Sequence, residues 1–420
     1  MLSPALPAAR DAHRDAAFDI ARAADRCVRC GLCSARCPTY AAARDENDAP
    51  RGRISLMDGL ARGVLAPEPA LRRHLERCLL CRACEDACPA GVPFGRMMDA
   101  ARARLAGDRL RGALVRLTAR PRLWRALAAL LRVARTAGLV GWAQHTRAAA
   151  RLGLKRLQRL TDTLAPRRKG PVTSASRSRF AGRVPAGTDE NAVHLSPGPP
   201  LETVWLFPGC SDDLLAPGAV AAARRVLAAA GLRLRDLPGA GCCGALARHA
   251  GAGTKADALA RRNAAAAKGR GPVVFLSSGC GVELAAGGGD WREICAFADT
   301  LPGLERLSLR PLRGVVAWHR PCTHHRLPDA GAAAGRLLAR IPGLTVVPLE
   351  AACCGAGGTV MLDHPELADA VTRAMLDGLP RGTRWIATTN AGCLAQIRRH
   401  LPAGVEVVHP LELLARQLPD

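Results

Sequence analysis

The sequence predicts a multidomain α and α/β protein with a helical N-terminal module, a helical spacer, and two tandem α/β lobes with parallel sheets. Three observations lead to this prediction. Two cysteine runs of one pattern lie within the first hundred residues, and stretches rich in Leu, Ala and Arg with helical periodicity follow them. The C-terminal half then repeats one order of apolar strands, Ala-rich helices and cysteines. A chain of 420 residues is long enough for about three domains.

Both N-terminal runs have the spacing C-x2-C-x2-C-x3-C-P, over residues 27–38 and again over residues 78–89. Three evenly spaced thiolates fit one face of a cubane [4Fe–4S] cluster, while the fourth cysteine usually ligates the cluster of the other run. The sequence therefore predicts two [4Fe–4S] clusters. The ligands of the first are predicted to be Cys27, Cys30, Cys33 and Cys88, and those of the second Cys78, Cys81, Cys84 and Cys37.

The alternative for these runs is a pair of zinc sites, because C-x2-C spacing also suits zinc. Zinc uses four ligands in two pairs, however, and needs neither a third evenly spaced cysteine nor a proline after the fourth. The chain has 17 cysteines, and its N-terminus lacks the apolar stretch of a secretory signal. Cysteines clustered at metal spacing without an export signal are expected to be thiolate ligands in a reducing compartment, not disulfides. We therefore expect a cytoplasmic protein.

Around the runs, the sequence predicts three helices, at residues 5–26, 53–63 and 68–77. Helices between two such runs are similar to the helical ferredoxin module of iron–sulfur subunits in membrane-linked dehydrogenases. We place this ferredoxin-type domain at residues 1–100. Arg51 and Arg53 have two interpretations: they brace the negative charge of a cluster, or they belong to a solvated helix start.

Residues 101–164 form a predicted helical spacer rich in Leu, Ala and Arg, and residues 165–200 form a linker without periodicity. The most apolar part of the spacer, residues 123–142, is interrupted by arginines. A spanning helix needs ~20 mostly apolar residues, so none is expected here. Two alternatives stay open for this part: a packed helix with a solvated Arg face, or a basic amphipathic helix that lies on a membrane or a partner.

The net charge of +24 is strongly basic, yet only four of the 60 basic residues are lysines. Aromatic residues make up 3% of the chain, which is too few for a base-stacking surface, so we expect no nucleic-acid partner. A basic surface also suits an acidic protein partner or an anionic membrane face. Peripheral contact with the cytoplasmic face of the inner membrane is the corresponding expectation.

The C-terminal part is a duplication, which we divide into lobes at residues 201–312 and 313–420. In each copy a strand leads to a first cysteine, and an Ala-rich helix and a vicinal Cys-Cys-Gly follow. A second helix and a strand that ends in Gly-Cys, at Cys280 and at Cys393, complete each copy. The equivalent cysteines are 32 and 31 residues apart before the vicinal pair, and 37 and 39 residues apart after it. Parallel sheets place their sites just past such strand ends. The cysteines concerned are Cys210, Cys242, Cys243 and Cys280, and Cys322, Cys353, Cys354 and Cys393.

Each of these four-cysteine sets resembles the cysteine-rich CCG domain. That domain occurs twice in heterodisulfide reductase B-type subunits and in iron–sulfur subunits of glycolate, lactate and anaerobic glycerol-3-phosphate dehydrogenases. In the heterodisulfide reductases each lobe has a fifth cysteine that serves a non-cubane cluster. Here that position is Glu283 in the first lobe and Gln396 in the second. The absent fifth thiolate argues against a non-cubane cluster and against disulfide chemistry.

Three interpretations of the eight lobe cysteines stay open. They hold an additional metal or cluster in each lobe, with a shell completed by His249, His319 or His324; they are redox-active dithiols; or the lobes are a docking scaffold. Cys295 lies outside the repeat and is most simply a buried small hydrophobe.

The order of motifs along the whole chain closely resembles the iron–sulfur subunits of bacterial glycolate oxidases, which are flavin-linked glycolate dehydrogenases. The likeness covers nearly all of residues 15–416. It is carried by Cys37-Pro-Thr-Tyr40, Pro50-Arg-Gly-Arg53, Ala240-Gly-Cys-Cys-Gly244, Ser278-Gly-Cys-Gly281 and Pro321-Cys-Thr323. The resemblance implies that separate FAD-containing subunits oxidise glycolate to glyoxylate, and that this chain passes electrons singly toward a quinone acceptor.

Other functions stay open beside this one. The runner-up is the iron–sulfur subunit of a lactate or glycerol-3-phosphate dehydrogenase; a thiol/disulfide enzyme and a zinc-binding or scaffold protein are further alternatives. The Gly-rich pieces at residues 251–255 and 355–358 match neither a P-loop nor a dinucleotide fingerprint, and no paired carboxylates or nucleophile triad is visible. We therefore expect FAD only in partner subunits and no catalytic residue in this chain.

Overall fold

The computed structural model describes residues 18–105, 109–120, 202–327, 330–349 and 353–419, together with single positions between 123 and 159. The predicted linker, most of the apolar stretch at residues 123–142, and residues 5–17 of the predicted helix at residues 5–26 lie outside the described residues. The domain limits expected from the sequence remain predictions.

The N-terminal part is helical, as the sequence predicts. Its helices are α1 (Ile20–Ala24), α2 (Pro38–Ala43), α3 (Pro50–Ala61), α4 (Pro69–Glu76), α5 (Ala83–Asp86), α6 (Phe94–Arg104) and α7 (Arg109–Thr118). Proline occupies the first turn of α2, α3 and α4, where its missing N–H costs no hydrogen bond. Helix α3 packs against α1 and α6 around a core that includes the fully buried Ile20, Met57 and Met97.

The first lobe is an α/β unit with a parallel sheet of four strands in the order β2-β1-β3-β4. The strands are β1 (Glu202–Phe207), β2 (Leu232–Asp236), β3 (Val273–Phe275) and β4 (Trp291–Glu293). Between and after them come α8 (Asp212–Leu215), α9 (Pro217–Ala229), α10 (Ala245–His249), α11 (Gly253–Ala267), α12 (Ser278–Ala286), α13 (Ile294–Asp299) and α14 (Pro302–Glu305).

The second lobe repeats this topology with the strand order β6-β5-β7-β8, all parallel. Its strands are β5 (Gly314–His319), β6 (Leu344–Leu349), β7 (Thr383–Ala387) and β8 (Glu406–Val408). Its helices are α15 (Ala330–Ala339), α16 (Val360–Asp363), α17 (Pro365–Asp377), α18 (Ala391–Arg398) and α19 (Pro410–Gln417), with a 3-10 turn at Cys322–Arg326. The shared strand order agrees with the internal duplication.

The central strand of each sheet fixes the register of its neighbours. Trp205 of β1 pairs with Arg235 of β2 on one side and with Val273 of β3 on the other. In the second lobe, Ala317 pairs with Val347 and Ile386 in the same way. The chain order reverses between these neighbours, and open parallel sheets bind ligands beyond the strand ends at such a switch point.

The two lobes pack through two pairs of helices, with one helix of each pair from each lobe. Helix α13, which follows the last strand of the first lobe, packs against α15 of the second lobe. Helix α19, which follows the last strand of the second lobe, packs against α9 of the first. One hydrophobic core therefore runs through both lobes and holds the carboxyl ends of the two sheets against each other.

The predicted fold class is confirmed, with one difference in detail. We expected Cys280 and Cys393 at the ends of strands, but β3 ends at Phe275 and β7 at Ala387, and both cysteines lie in the first turn of a helix. Within the described residues, no helix is long and apolar enough to cross a membrane.

Candidate metal centres and the cavity between the lobes

The backbone of both N-terminal runs is folded in the same unusual way. In the first run Arg29 and Gly31 have φ of 58° and 81°, and in the second Leu80 and Arg82 have φ of 52° and 59°. These residues flank the middle cysteine of each triplet. Alternation between right- and left-handed conformations turns successive N–H groups toward one side, which creates a concavity for anions such as iron–sulfur clusters. Side chains other than Gly rarely adopt positive φ, so its recurrence at the same place in both runs indicates a functional backbone shape. Such a shape fits a chain that wraps around a cluster.

The first predicted ligand set lines one small cavity. Cys27, Cys30, Cys33 and Cys88 all contribute to its walls, together with Phe94. Cys30 is exposed, and the neighbouring Val28 and Leu32 are 73% and 57% exposed. The fifth thiol at this cavity is Cys84, from the second set. The two sets therefore adjoin, with the first nearer to the surface.

The second predicted set is more deeply buried. Cys37, Cys78 and Cys84 are each less than 9% exposed. Burial and the neighbouring Cys78, Cys81 and Cys37 raise the pKa of the Cys84 thiol, so the fourth cysteine of the first run lies beside the triplet of the second. Four grouped sulfur atoms on this backbone suit a [4Fe–4S] cluster, although the ligand assignment itself stays a prediction.

Arg53 is part of the structure that carries the second set. It is 1% exposed and donates hydrogen bonds to the His74 carbonyl, to Thr39 Oγ1 at 2.8 Å and to Asp48 Oδ1 at 3.2 Å. Thr39 Oγ1 in turn lies 3.1 Å from the sulfur of Cys37. The solvated alternative for Arg53 is therefore wrong. Arg51 differs, because its half-exposed side chain pairs with Glu46.

Arg102 connects this module to the first lobe. Its guanidinium donates to the carbonyls of Leu75, Glu76 and Cys78, and also to the carbonyl of His249 in the first lobe. Gly251 packs so closely on Arg102 that a Cβ there would lie 2.4 Å from its carbonyl oxygen. The second ligand set is thus held directly on the lobes.

The eight lobe cysteines meet at a single cavity of about 270 Å³ between the two lobes. They reach it from the carboxyl ends of both sheets, and the helix pairs between the lobes hold these ends toward each other. The cysteines in its walls are Cys210, Cys242, Cys243, Cys280, Cys322, Cys353, Cys354 and Cys393.

Within each lobe the thiols contact one another. In the first lobe Cys242 hydrogen-bonds to Cys210 and Cys243, and Cys243 bonds to Cys280. Four soft sulfur ligands within mutual reach suit zinc or an iron–sulfur cluster. All four are free thiols.

The thiols of the second lobe also reach the N-terminal module. Cys353 hydrogen-bonds to Cys322 and Cys354, and the sulfur of Cys354 lies 2.9 Å from that of Cys393. Cys353 bonds in addition to Cys81 of the second N-terminal run, a contact that lowers the pKa of the Cys81 thiol to about 7. The predicted second cluster site therefore adjoins the four-cysteine set of the second lobe.

The two positions without a fifth cysteine are occupied by structural polar groups. Both Glu283 oxygens accept from Arg248 Nε, at 2.8 and 2.9 Å, and Arg248 also bonds to Asp257. Gln396 donates to Asp369 and Thr372. Glu283 and Gln396 therefore have structural contacts at the positions of the fifth cysteine, and each lobe has four thiols at the cavity.

Of the three histidines considered from the sequence, only His249 lies in the cavity wall. Burial and the charge of Arg102 and other arginines lower the pKa of His249 to about 3, so its imidazole is neutral. His319 Nδ1 is 3.0 Å from Thr388 Oγ1, and His324 Nε2 is 2.7 Å from Thr389 Oγ1. Those two histidines therefore serve the packing of the second lobe.

Sequence reasoning missed the charged residues of the cavity. Arg82, Arg326 and Asp99 all line it. Burial, together with the nearby Arg82, lowers the pKa of Arg326 to about 10. Their only sequence signal was position: Arg82 lies inside a cysteine run, and Arg326 four residues after Cys322.

Cys295 is fully buried, as expected, but it has polar neighbours. It hydrogen-bonds to Glu293, and His409 lies within 4.8 Å in the core between the lobes. His409 Nδ1 accepts from the Leu411 N–H at the start of α19, so its other nitrogen carries the proton. A protonated nitrogen cannot bind a metal, and this cluster is best described as structural.

Comparison with known proteins agrees with this arrangement. The model of the 4Fe-4S dicluster domain matches residues 23–92, and that of the Cysteine-rich domain matches residues 204–285 and 316–398. The glycolate oxidase iron-sulfur subunit of Escherichia coli (strain K12) is 30% identical over 93% of this chain and 93% of its own length. A probable glycolate oxidase iron-sulfur subunit of Bacillus subtilis (strain 168) is 28% identical over 92% of each chain.

A more distant similarity extends to another class. The dihydromethanophenazine:CoB–CoM heterodisulfide reductase of Methanosarcina barkeri has a subunit that is 24% identical over 94% of each chain. The higher identity and equal coverage of the Escherichia coli protein, with both domain types in the same order, decide the assignment. This chain belongs to the family of glycolate oxidase iron–sulfur subunits.

Proposed function

We propose that this chain is the electron-transfer subunit of a flavin-linked glycolate dehydrogenase, and that it carries electrons from FAD-containing partner subunits toward a quinone. The observation that supports this best is the line of thiol sites from the exposed Cys30, through the buried second set, to the cavity between the lobes. Such a line joins a protein surface to an enclosed site.

The ligands in this proposal are Cys27, Cys30, Cys33 and Cys88 for one cluster and Cys78, Cys81, Cys84 and Cys37 for the other. Two [4Fe–4S] clusters would divide the two electrons of a flavin into one-electron steps. The chain itself supplies the wrapped backbone, in which the Leu80 N–H donates to the sulfur of Cys78, and the buried charge of Arg53 and Arg102 beside Cys78. Both features stabilise negative charge in a site that water does not reach.

Electrons would enter at the first set. Val28 and Leu32 flank Cys30 and are among the most exposed large apolar side chains of the described residues. Exposed apolar groups around a redox site fit a face that a partner covers. We therefore place the flavin-containing subunit on this face, with the chain on the cytoplasmic side and at most peripheral at the membrane.

Beside a redox-active dithiol, the lobe cysteines have two interpretations in this proposal. Four thiols per lobe would hold a further metal or cluster; alternatively, the lobes act as a scaffold that shapes the cavity. The contact between Cys81 and Cys353 favours an electron-transfer role for at least the second lobe.

The substrate of the partner is the finer part of the proposal. A lactate utilization protein A of Exiguobacterium is 34% identical over 24% of this chain, so a lactate dehydrogenase subunit remains the second candidate. The test is to isolate the full-length tagged chain under anaerobic conditions with whatever FAD subunits accompany it. Glycolate should bleach the iron–sulfur absorbance at least tenfold faster than lactate or glycerol 3-phosphate. Bleaching by lactate alone would reassign the substrate, and no bleaching by any of the three would refute the proposal.

A further inference from the structure

The cavity between the lobes has the character of a small-molecule site. Its walls are mostly apolar and include Leu79, Leu114, Leu215, Leu246 and Met361. A few polar groups converge on these walls, which is the usual composition of a ligand pocket. The volume of about 270 Å³ is enough for a single substituted six-membered ring.

Arg326 is the most informative of the polar groups. It lies in the 3-10 turn that begins at Cys322, and it faces the cavity. Among the described residues, only Coulomb interactions and burial act on its guanidinium, and no hydrogen-bond or ion-pair partner is found for it. A guanidinium is a donor only, so its N–H groups are available to a ligand in the cavity. A ligand with acceptor oxygens would supply what is absent.

Trp124 adds a second donor of the same kind. Its indole lines the cavity and is 5% exposed, and Nε1 has no hydrogen-bond partner among the described residues. Because indole N–H and guanidinium are donors only, both side chains can bind a ligand through its acceptor oxygens. A ligand with carbonyl oxygens on an otherwise apolar ring meets this requirement and suits the apolar walls.

Two further residues complete the polar wall. His249 is neutral and packs against Gly358, where a Cβ would lie 2.4 Å from Nδ1. Asp99 lines the cavity beside Arg82, at 3.6 Å, and burial raises the pKa of its carboxyl to about 6. A carboxyl in this range carries and releases protons near neutral pH.

We propose that the cavity between the lobes binds the ring of a quinone, with a carbonyl oxygen on the guanidinium of Arg326. This inference rests on the proposed function and adds the place where the acceptor binds. Two electrons would come singly from a cluster held by the second cysteine set, and two protons would come from water by way of Asp99, which together convert the quinone to its quinol. Each carbonyl oxygen takes up one proton, and the ring takes up both electrons.

The test uses the holo-complex with glycolate and two acceptors: a short-tailed dimethoxy-methyl-benzoquinone, and ferricyanide as a hydrophilic dye. Arg326→Gln should raise KM for the quinone at least tenfold and leave the ferricyanide rate within twofold. Arg326→Lys, which keeps the charge, should recover most of the affinity. The control is Arg320→Gln, an exposed arginine near the same turn, which should change neither rate.

A second variant and a direct label guard against misfolding of the first. Leu246→Trp fills the cavity and should also raise KM for the quinone alone. An azido-quinone should label peptides that contain Trp124 or Arg326. Label elsewhere, or an unchanged KM in Arg326→Gln and Leu246→Trp, would overturn the inference while ferricyanide reduction kept the proposed function intact. Loss of glycolate-dependent ferricyanide reduction in the wild type would instead refute the proposed function.

Discussion

The thiol of Cys81, in the middle of the second N-terminal run, hydrogen-bonds to the thiol of Cys353 in the second lobe. The contact joins a predicted cluster ligand to a lobe cysteine far along the chain. Through this contact the N-terminal module and the cavity between the lobes adjoin and form one continuous group of thiols.

Loss of one N-terminal ligand should interrupt the chain of sites. We expect Cys33→Ser or Cys84→Ser to lose one cluster and, on the order of a tenfold effect or more, most of quinone reduction in the complex, while glycolate still reduces the partner flavin. Stopped-flow absorbance would follow the flavin, and quinol formation the overall rate. A normal quinone rate in either variant would show that electrons take another route.

Loss of a lobe cysteine should behave differently. Cys242→Ser lies in the first lobe, apart from both predicted cluster sets, and should leave the EPR signals of both N-terminal clusters unchanged in intensity. Cys84→Ser, measured in parallel, provides the comparison. If Cys242→Ser abolished either signal, the ligand assignment would need to be redrawn.

Two arginines of α3 should differ sharply in their effect on stability. Arg53→Gln removes the buried partner of Asp48 and hydrogen bonds to Thr39 and His74, so the free energy of unfolding should fall by about 3 kcal/mol. Arg51→Gln breaks a half-exposed pair with Glu46 and a long hydrogen bond to the Arg29 carbonyl, so it should change the free energy of unfolding far less than Arg53→Gln does. Urea unfolding followed by circular dichroism would measure both. Equal losses would contradict the structure.

Gly355, after the second vicinal cysteine pair, should tolerate no side chain. Its φ is 85°, and a Cβ would lie 2.3 Å from the Ala368 carbonyl oxygen. Gly355→Ala should therefore lower the unfolding free energy by about 2–3 kcal/mol, from backbone strain and overpacking together. Gly63→Ala has a similar φ of 73° and open space around it, so only the strain of about 1 kcal/mol should appear. Urea unfolding followed by circular dichroism would measure both variants. A larger loss of unfolding free energy in Gly63→Ala than in Gly355→Ala would contradict the structure.

Glu293 should make stability fall as the pH rises. Burial raises its pKa to about 8 in the folded chain, against a reference value of 4.5. The folded state therefore holds a proton that the unfolded state has lost, and this contribution disappears as the pH rises through 8. Between pH 6 and 8 the wild type should lose about 2 kcal/mol relative to Glu293→Gln. A constant difference across that range would place the charge on Glu293 in the folded state.

The sequence was sufficient for the parts of this protein that depend on local spacing. The cysteine runs, the duplication and the parallel lobes follow from short patterns, and the structure and the domain matches agree with them. The sequence analysis did not separate Arg51 from Arg53. In the structure Arg53 lies on the buried side of α3 with Ile54 and Met57, and Arg51 lies about 200° away around the helix.

Contacts between distant segments could not be read in this way. The approach of Cys81 to Cys353 and the exposure of Arg326 to the cavity depend on the relative orientation of the lobes, which the helix pairs between them determine. No periodic pattern in the sequence predicts that orientation. Glu283 was recognised as a missing thiol, but its pairing with Arg248 required the fold.

The most direct test of the account is the iron and acid-labile sulfide content of the full-length chain purified anaerobically, with EPR of the reduced protein. The account predicts about eight iron and eight sulfide per chain from the N-terminal clusters, with further iron if the lobes are loaded, and signals of two interacting [4Fe–4S] clusters. Zinc without sulfide, in a colourless preparation, would contradict the electron-transfer function at its root.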